Sequence, residues 1–423
     1  MDYNDHPLKF IVKGIFVDTL KFEELRIRNG FILVENGIIK SFSENNPDES
    51  LPIYDFSNKL IIPGLVDLHL HASQYSFCGT GMDLELLDWL NTYTFKEESR
   101  FKDINYAKKY YQLFSNDLEK SGTTRAVIFA TIHADSTLIL MDILEKKKII
   151  AYIGKVEMDR NSPDYYIEKN GEEETKYFIE ECLKRNYKYV KPIITPRFTP
   201  CVSDSYMEFL GKMTKKYNLA VQSHLSENPE EIKLVKKLRP NDRFYGESYD
   251  KYGLFGKKVK TIMAHCVHSP KEENELIKNN GVYIAHCPTS NSNLTSGICP
   301  ATLYLRKGYN IGLGTDVAGG HTLDLFEVMR HAIQISKIRF RYVDSEEKPF
   351  TLPEIVYMAT NKGGSFFGKV GIFEKDYEFD AIIVNESELD NGKDFTVNER
   401  LERIIYNKDV KILSKFIRGN KIL

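Results

Sequence analysis

Apolar, β-branched runs of strand length recur through the middle of the chain, separated by amphipathic stretches. The strand candidates are Ile61–His71, Thr124–Thr131, Ile149–Glu157, Tyr189–Phe198, Leu219–Leu225, Thr261–Cys266, Gly281–Cys287 and Asn310–Asp316. Helix-like patterns lie between them, as in Thr137–Lys148, Ser205–Tyr217, Pro270–Asn279 and Leu323–Ile335. Strands alternating with helices predict a parallel sheet, because each crossover helix covers a sheet face. Eight such strands predict an α/β fold of the (β/α)8 TIM-type barrel kind over an open doubly wound sheet. No GxGxxG or P-loop motif follows any strand, which weakens a nucleotide-binding fold further.

The two ends of the chain read differently. Leu8–Val17 is a strand region, and Gly30–Val34 and Gly37–Lys40 flank Glu35-Asn36, a hairpin signal. Near the other end, Asp380–Val384 and Val410–Leu413 are short strands and Arg418-Gly419-Asn420 is a turn signal. The expected organisation is a barrel at 63–368 and a small β-sandwich domain built from both termini, 1–62 and 369–423.

Composition changes this picture little. A chain of 423 residues accommodates a barrel of roughly 250 residues plus a satellite. Lys and Arg total 58 against 60 Asp and Glu, a net charge of −2, so no electrostatic footprint for nucleic acid is present. No apolar run approaches the roughly 18 residues of a membrane span. The opening Met1-Asp2-Tyr3-Asn4-Asp5 lacks the basic and apolar regions of a secretory signal. The six cysteines include no CxxC pair and read as free thiols of a cytoplasmic protein.

The candidate chemistry lies in the ten histidines. His69 and His71 are two apart on the first strand, so both imidazoles point to one face. Alone, that pair is a weak signal. His224 ends the fifth strand candidate, His265 the sixth and Asp316 the eighth. In a parallel barrel the C-terminal strand ends build the active site. Convergence there of His69, His71, His224 and Asp316, with His265 beside them, predicts a site for a divalent cation. It outweighs the alternative that each is an isolated polar residue at a loop start.

Pro63-Gly64-Leu65-Val66-Asp67-Leu68-His69-Leu70-His71 resembles the opening motif of the amidohydrolase superfamily. Further segments resemble the branch of that superfamily that deaminates guanine. They are His71-Ala72-Ser73-Gln74-Tyr75, Gly79–Asp83, Trp89-Leu90, Tyr93-Thr94-Phe95, Ala130–His133, Thr195-Pro196-Arg197-Phe198, Gln222–Glu227 and Gly312–Gly320. The resemblance runs in order from about Ile61 to Ile335. Two departures stand out: Lys96 follows the Tyr-Thr-Phe run where the family often has Pro, and His268 is an extra histidine close to His265.

The resemblance implies that His69, His71, His224 and Asp316 hold one metal ion per chain, zinc or, with the same donor set, iron(II). Such an ion activates water at neutral pH. It further implies that Asp316 accepts a proton from that water. Glu227 shuttles protons between water, the purine N3 and the leaving ammonia. A surface Glu at a helix start is the plainer alternative for Glu227. His265 either orients the water or ligates the metal. Gln74, Arg197 and Phe198 are implied substrate contacts, joined from the metal side by His224, Glu227 and His265. Arg197 would donate to the guanine oxygen or a ring nitrogen. The implied reaction is guanine and water to xanthine and ammonia, a step of purine catabolism, in a cytoplasmic homodimer. Cytosine, a triazine or a modified purine as substrate is the alternative within enzymes, and a non-enzymatic scaffold the alternative outside them. His286 reads as supporting structure. His6, His133, His321 and His331 receive no catalytic role, although His321 lies close enough after Asp316 to line the mouth.

Overall fold

The computed structural model describes residues 7–386, 392–407 and 410–423; His6 and the first five residues lie outside the described residues. The central region is α/β. Leu65–His71, Thr123–Phe129, Ile150–Gly154 and Val190–Pro192 form one four-stranded parallel sheet in that order. Val221–Leu225, Thr261–His265, Tyr283–His286 and Asn310–Leu313 form a second. Helices such as Ala134–Lys146, Asp204–Tyr217, Lys271–Asn279 and Leu325–Tyr342 alternate with the strands.

The two sheets share one interior. Val66, Leu68 and Val127 from the first cluster with Ile262, Ala264, Ala285 and Cys287 from the second. The ladder between them is not continuous. The expected fourth strand, Tyr189–Phe198, is split into Val190–Pro192 and Thr195–Pro196. At the break the chain changes neighbours: the Ile193 N–H donates to the Ile153 carbonyl at 3.2 Å and the Ile194 N–H to the Ala220 carbonyl at 3.0 Å. Across this seam only an isolated bridge, Ile194 to Val221, remains. At the other seam the Asp316 N–H donates to the His69 carbonyl and the His71 N–H to the Val317 carbonyl, both at 2.8 Å.

The expected strand Ile61–His71 is two strands that belong to different sheets. Ile53–Pro63 lies in the terminal sheet and Leu65–His71 in the central one, with the change at Gly64. The terminal sheet has seven strands, drawn from 9–63 and 381–421, so both ends of the chain contribute to it. Its order places Ala381–Asn385 beside Ile53–Pro63. Phe10, Phe16, Phe373, Phe379 and Phe416 pack with Val12, Ile32 and Ile383 in its own apolar cluster. The hairpin at Glu35-Asn36 turns through Asn36 and Gly37, both at positive φ (52° and 76°), as a tight right-twisting hairpin requires. Arg125, fully buried on the second central strand, ties the two parts together. Its Nε donates to Asp380 at 2.8 Å and its Nη2 to Glu378 at 2.5 Å. No helix among the described residues is long and apolar enough to cross a membrane.

Candidate active site

A register shift between Asp67 and Leu70 marks a bulge in the first central strand. Before it, Val66 and Leu68 face the shared interior; after it, Leu70 joins the outer core while His69 and His71 turn towards Asp316. Bulges beside active sites re-aim side chains in this way. Asp67 anchors the opposite strand end: its carboxylate accepts from the Thr315 N–H at 3.0 Å and the Thr315 hydroxyl at 2.6 Å. Gly314 permits the close approach, since a Cβ there would meet the Cys287 sulfur at 2.9 Å and the His69 Cβ at 3.0 Å. Asp316 and His265 leave their strands at positive φ, 48° and 73°, a strained backbone of the kind found at functional sites.

Four donors converge. His69 Nε2 lies 3.1 Å and His71 Nε2 3.3 Å from Asp316 Oδ1. His224 Nε2 lies 3.3 Å from His71 Nε2. The ligand atoms of His69, His71, His224 and Asp316 all fall within 4.8 Å of one another. His224 Nδ1 meets the Arg197 carbonyl at 2.6 Å. A carbonyl only accepts, so Nδ1 carries the proton and Nε2 presents its lone pair. This arrangement orients metal-ligating histidines generally. Burial, reinforced by the neighbouring imidazoles, pulls His224 well below its ordinary pKa. Burial likewise lowers His71 to about 4. Burial pushes the Asp316 carboxyl up, but the adjacent His69 and His71 outweigh it and hold it well below the carboxylate range. Neutral imidazoles around one carboxylate are the protonation states a divalent cation requires. Nδ1 of buried His69 and Nδ1 of His71 have no hydrogen-bond partner. The residues present therefore fit a borderline divalent metal bound by nitrogen and oxygen.

Beside this group stand His265 and Glu227. His265 Nε2 is 3.3 Å from Glu227 Oε2 and 3.7 Å from Asp316 Oδ2. Its Nδ1 donates to Asn291 Oδ1 at 2.9 Å. Glu227 is buried, not a surface residue at a helix start. The following helix, Pro229–Leu238, has Asn228 as its N-cap, and Glu231 closes a capping box on it. Glu231 also accepts from the Glu227 N–H at 3.0 Å, and the Glu227 carboxyl lines the site with its Oε1 accepting from the Ser296 hydroxyl at 3.1 Å. Burial and the charge of Asp316 push that carboxyl well above its ordinary pKa. The extra histidine, His268, is exposed and pairs with the Ser296 carbonyl at 2.6 Å, away from the donors.

A cavity opens onto these groups. His71, His224, His265, Glu227 and Asp316 line its metal side, and Gln74, Arg197 and Phe198 line the other. Leu86, Trp89 and Leu90 form an apolar wall. Every residue expected at the site is thus brought to one cavity or, for His69, to the donor group beneath it. His286 is buried at its strand end and stands outside that lining. His321 lies at the surface and faces Glu327 at 3.0 Å.

Sequence reasoning missed Glu98. It is fully buried on the short helix Phe95–Ser99 and binds Arg197, Gln74 and Tyr166 together. Nothing in Lys96-Glu97-Glu98 distinguishes it from Glu97, and only the tertiary fold does. Asn291, the partner of His265, was equally silent within Pro288–Asn293.

Residues 60–421 match the amidohydrolase family. The chain belongs to that family. Among its relatives is the guanine deaminase of Homo sapiens, 40% identical over 408 residues, covering 92% of this chain and 89% of that protein. The guanine deaminase of Mus musculus is 38% identical over 406 residues at the same coverage. Among solved structures, a guanine deaminase from C. acetobutylicum with guanine bound in its active site superposes with a TM-score of 0.95. It is 49% identical and covers 98% of this chain and 100% of that one.

Proposed function

We propose that this chain is a metal-dependent guanine deaminase: water adds at C2 of guanine, ammonia leaves, and xanthine forms. The observation that carries this is one cavity joining the His69–His71–His224–Asp316 donor group to the polar edge of Gln74 and Arg197. The likeness to a guanine-bound enzyme at 49% identity supports the substrate. We take the metal to be one zinc ion per chain, held by those four residues, with iron(II) the alternative for the same donors. When bound, it supplies Lewis-acid activation of water.

The chain's own residues do the rest. Arg197 and Gln74 present donors and an acceptor to the purine edge, and Phe198 packs at its side. Asp316, ionised and itself one of the four donors, takes a proton from the attacking water. His265 orients that water rather than joining the donor group. Glu227, whose carboxyl burial pushes above its ordinary range, delivers a proton to N3 as the new C–O bond forms at C2. The proton drawn from water then passes to the exocyclic amine, the C–N bond breaks as ammonia departs, and the remaining hydroxyl proton returns to Glu227 as the C2 carbonyl of xanthine forms.

The architecture proposed for this chemistry is a closed (β/α)8 barrel at 63–368 beside a small β-sandwich at 1–62 and 369–423. The shared interior of the two parallel sheets and the backbone bonds at both seams support the closure. All six cysteines carry free thiols, which fits the reducing cytoplasm where purine catabolism would place the enzyme. We also propose a homodimer, on the family resemblance. A scaffold that had lost its chemistry would have shed ligands, and this chain retains them all.

The function is tested by following xanthine formation from guanine by chromatography, with a triazine and cytosine as competitors. Formation of xanthine unaffected by either competitor supports the reading. Turnover of a competitor in place of guanine contradicts it. Arg197→Ala is expected to raise KM for guanine about 10- to 100-fold, the size of a charge-assisted hydrogen bond, at unchanged metal content. An unchanged KM would remove Arg197 from the substrate edge.

A further inference from the structure

Glu98 does not line the cavity, yet both polar groups that do so opposite the metal donors are fastened to it. Its Oε2 accepts from Arg197 Nη1 at 2.6 Å and from the Tyr166 hydroxyl at 2.7 Å. Its Oε1 accepts from Gln74 Nε2 at 2.8 Å and Arg197 Nη2 at 3.3 Å. Four donors satisfy both oxygens of this fully buried carboxylate. The amide of Gln74 is fixed from both ends, because the Ala318 N–H donates to its Oε1 at 3.2 Å. The guanidinium of Arg197 is held from a third side by the Phe95 ring, 5.0 Å from its centroid. Phe95 and Glu98 share one short helix, so a single element sets the plane of Arg197 and the direction of its charge partner.

The second consequence is electrostatic. Arg197 is fully buried, and an unpaired guanidinium in such a cavity attracts anions strongly. Guanine is neutral, whereas xanthine, its deamination product, carries an additional acidic imide and ionises more readily. We propose that Glu98 is a positioning residue that aims Arg197 and Gln74 at the purine edge and cancels the charge of Arg197, so that the cavity favours a neutral base over its anionic product. This rests on the guanine deaminase reading above and assigns a residue to its selectivity.

The test compares wild type, Glu98→Gln and Glu98→Asp at one mildly alkaline pH where xanthine is ionised. KM and kcat for guanine, the inhibition constant of xanthine and metal content are measured together. Glu98→Gln keeps the shape and removes the charge. It is expected to raise KM for guanine about tenfold with a smaller change in kcat, to tighten xanthine inhibition at least tenfold, and to keep its metal. Glu98→Asp keeps the charge and shortens the reach. It is expected to raise KM while leaving xanthine inhibition within about twofold of wild type, and it covers the case in which Glu98→Gln fails to fold. A merely structural Glu98 would weaken guanine and xanthine binding alike, and that result, or unchanged constants in both variants, overturns the proposal. A wild-type enzyme that does not turn over guanine overturns the functional reading itself, and the selectivity argument falls with it.

Discussion

Glu227→Gln is expected to keep the metal and lose turnover by about 10²- to 10⁴-fold, the range that a positioned general acid–base contributes. The substitution preserves volume and one hydrogen-bonding oxygen, so the Ser296 hydroxyl, now 3.1 Å from Oε1, keeps its partner. It removes only the proton. Glu227 lies outside the group of four convergent donors, which is why metal content should not follow activity. Its carboxyl is pushed well above its ordinary range by burial and by the charge of Asp316, the direction that suits an acid donating to a purine ring nitrogen. Loss of metal in the variant would make Glu227 a ligand. Near-normal turnover would assign the proton transfer elsewhere.

His69→Ala is expected to lower bound metal and activity together, with activity at background. His69 is buried, its Nδ1 has no hydrogen-bond partner, and its Nε2 faces Asp316 at 3.1 Å. Removing the imidazole leaves Asp316 ionised with fewer partners and deletes one of four donors. Losing even an outer partner of a ligand typically costs 10- to 100-fold in metal affinity, and losing the ligand itself should cost more. Metal analysis after dialysis, beside the ammonia assay, reads both effects. Metal retained at full occupancy would contradict the donor set.

The donors were legible because strand ends carry them. A period of two puts His69 and His71 on one face, and the C-terminal ends of parallel strands must meet at one rim. What the period did not show is the bulge between Asp67 and Leu70, which turns the pair inward. The bulge depends on pairing with Thr123–Phe129, a tertiary fact. The run Ile61–His71 read as one strand because Gly64 interrupts neither hydrophobicity nor length. The chain nevertheless changes sheets there. Tyr189–Phe198 reads as continuous although the strand breaks at Ile193-Ile194. In sequence Glu227 reads as the proton shuttle only through its nearness to His224, since a helix start and a buried acid look alike there. The capping box at Asn228 and Glu231 resolves it by taking over the helix end. Glu98 could not be read at all, because its meaning lies in Arg197, 99 residues away.

Ammonia release from guanine, run beside adenine and cytosine with metal determined on the same preparation, tests the central claim most directly. Release from guanine alone, with about one divalent ion per chain, is the expected result. Metal present at that level with no ammonia from guanine would contradict the account.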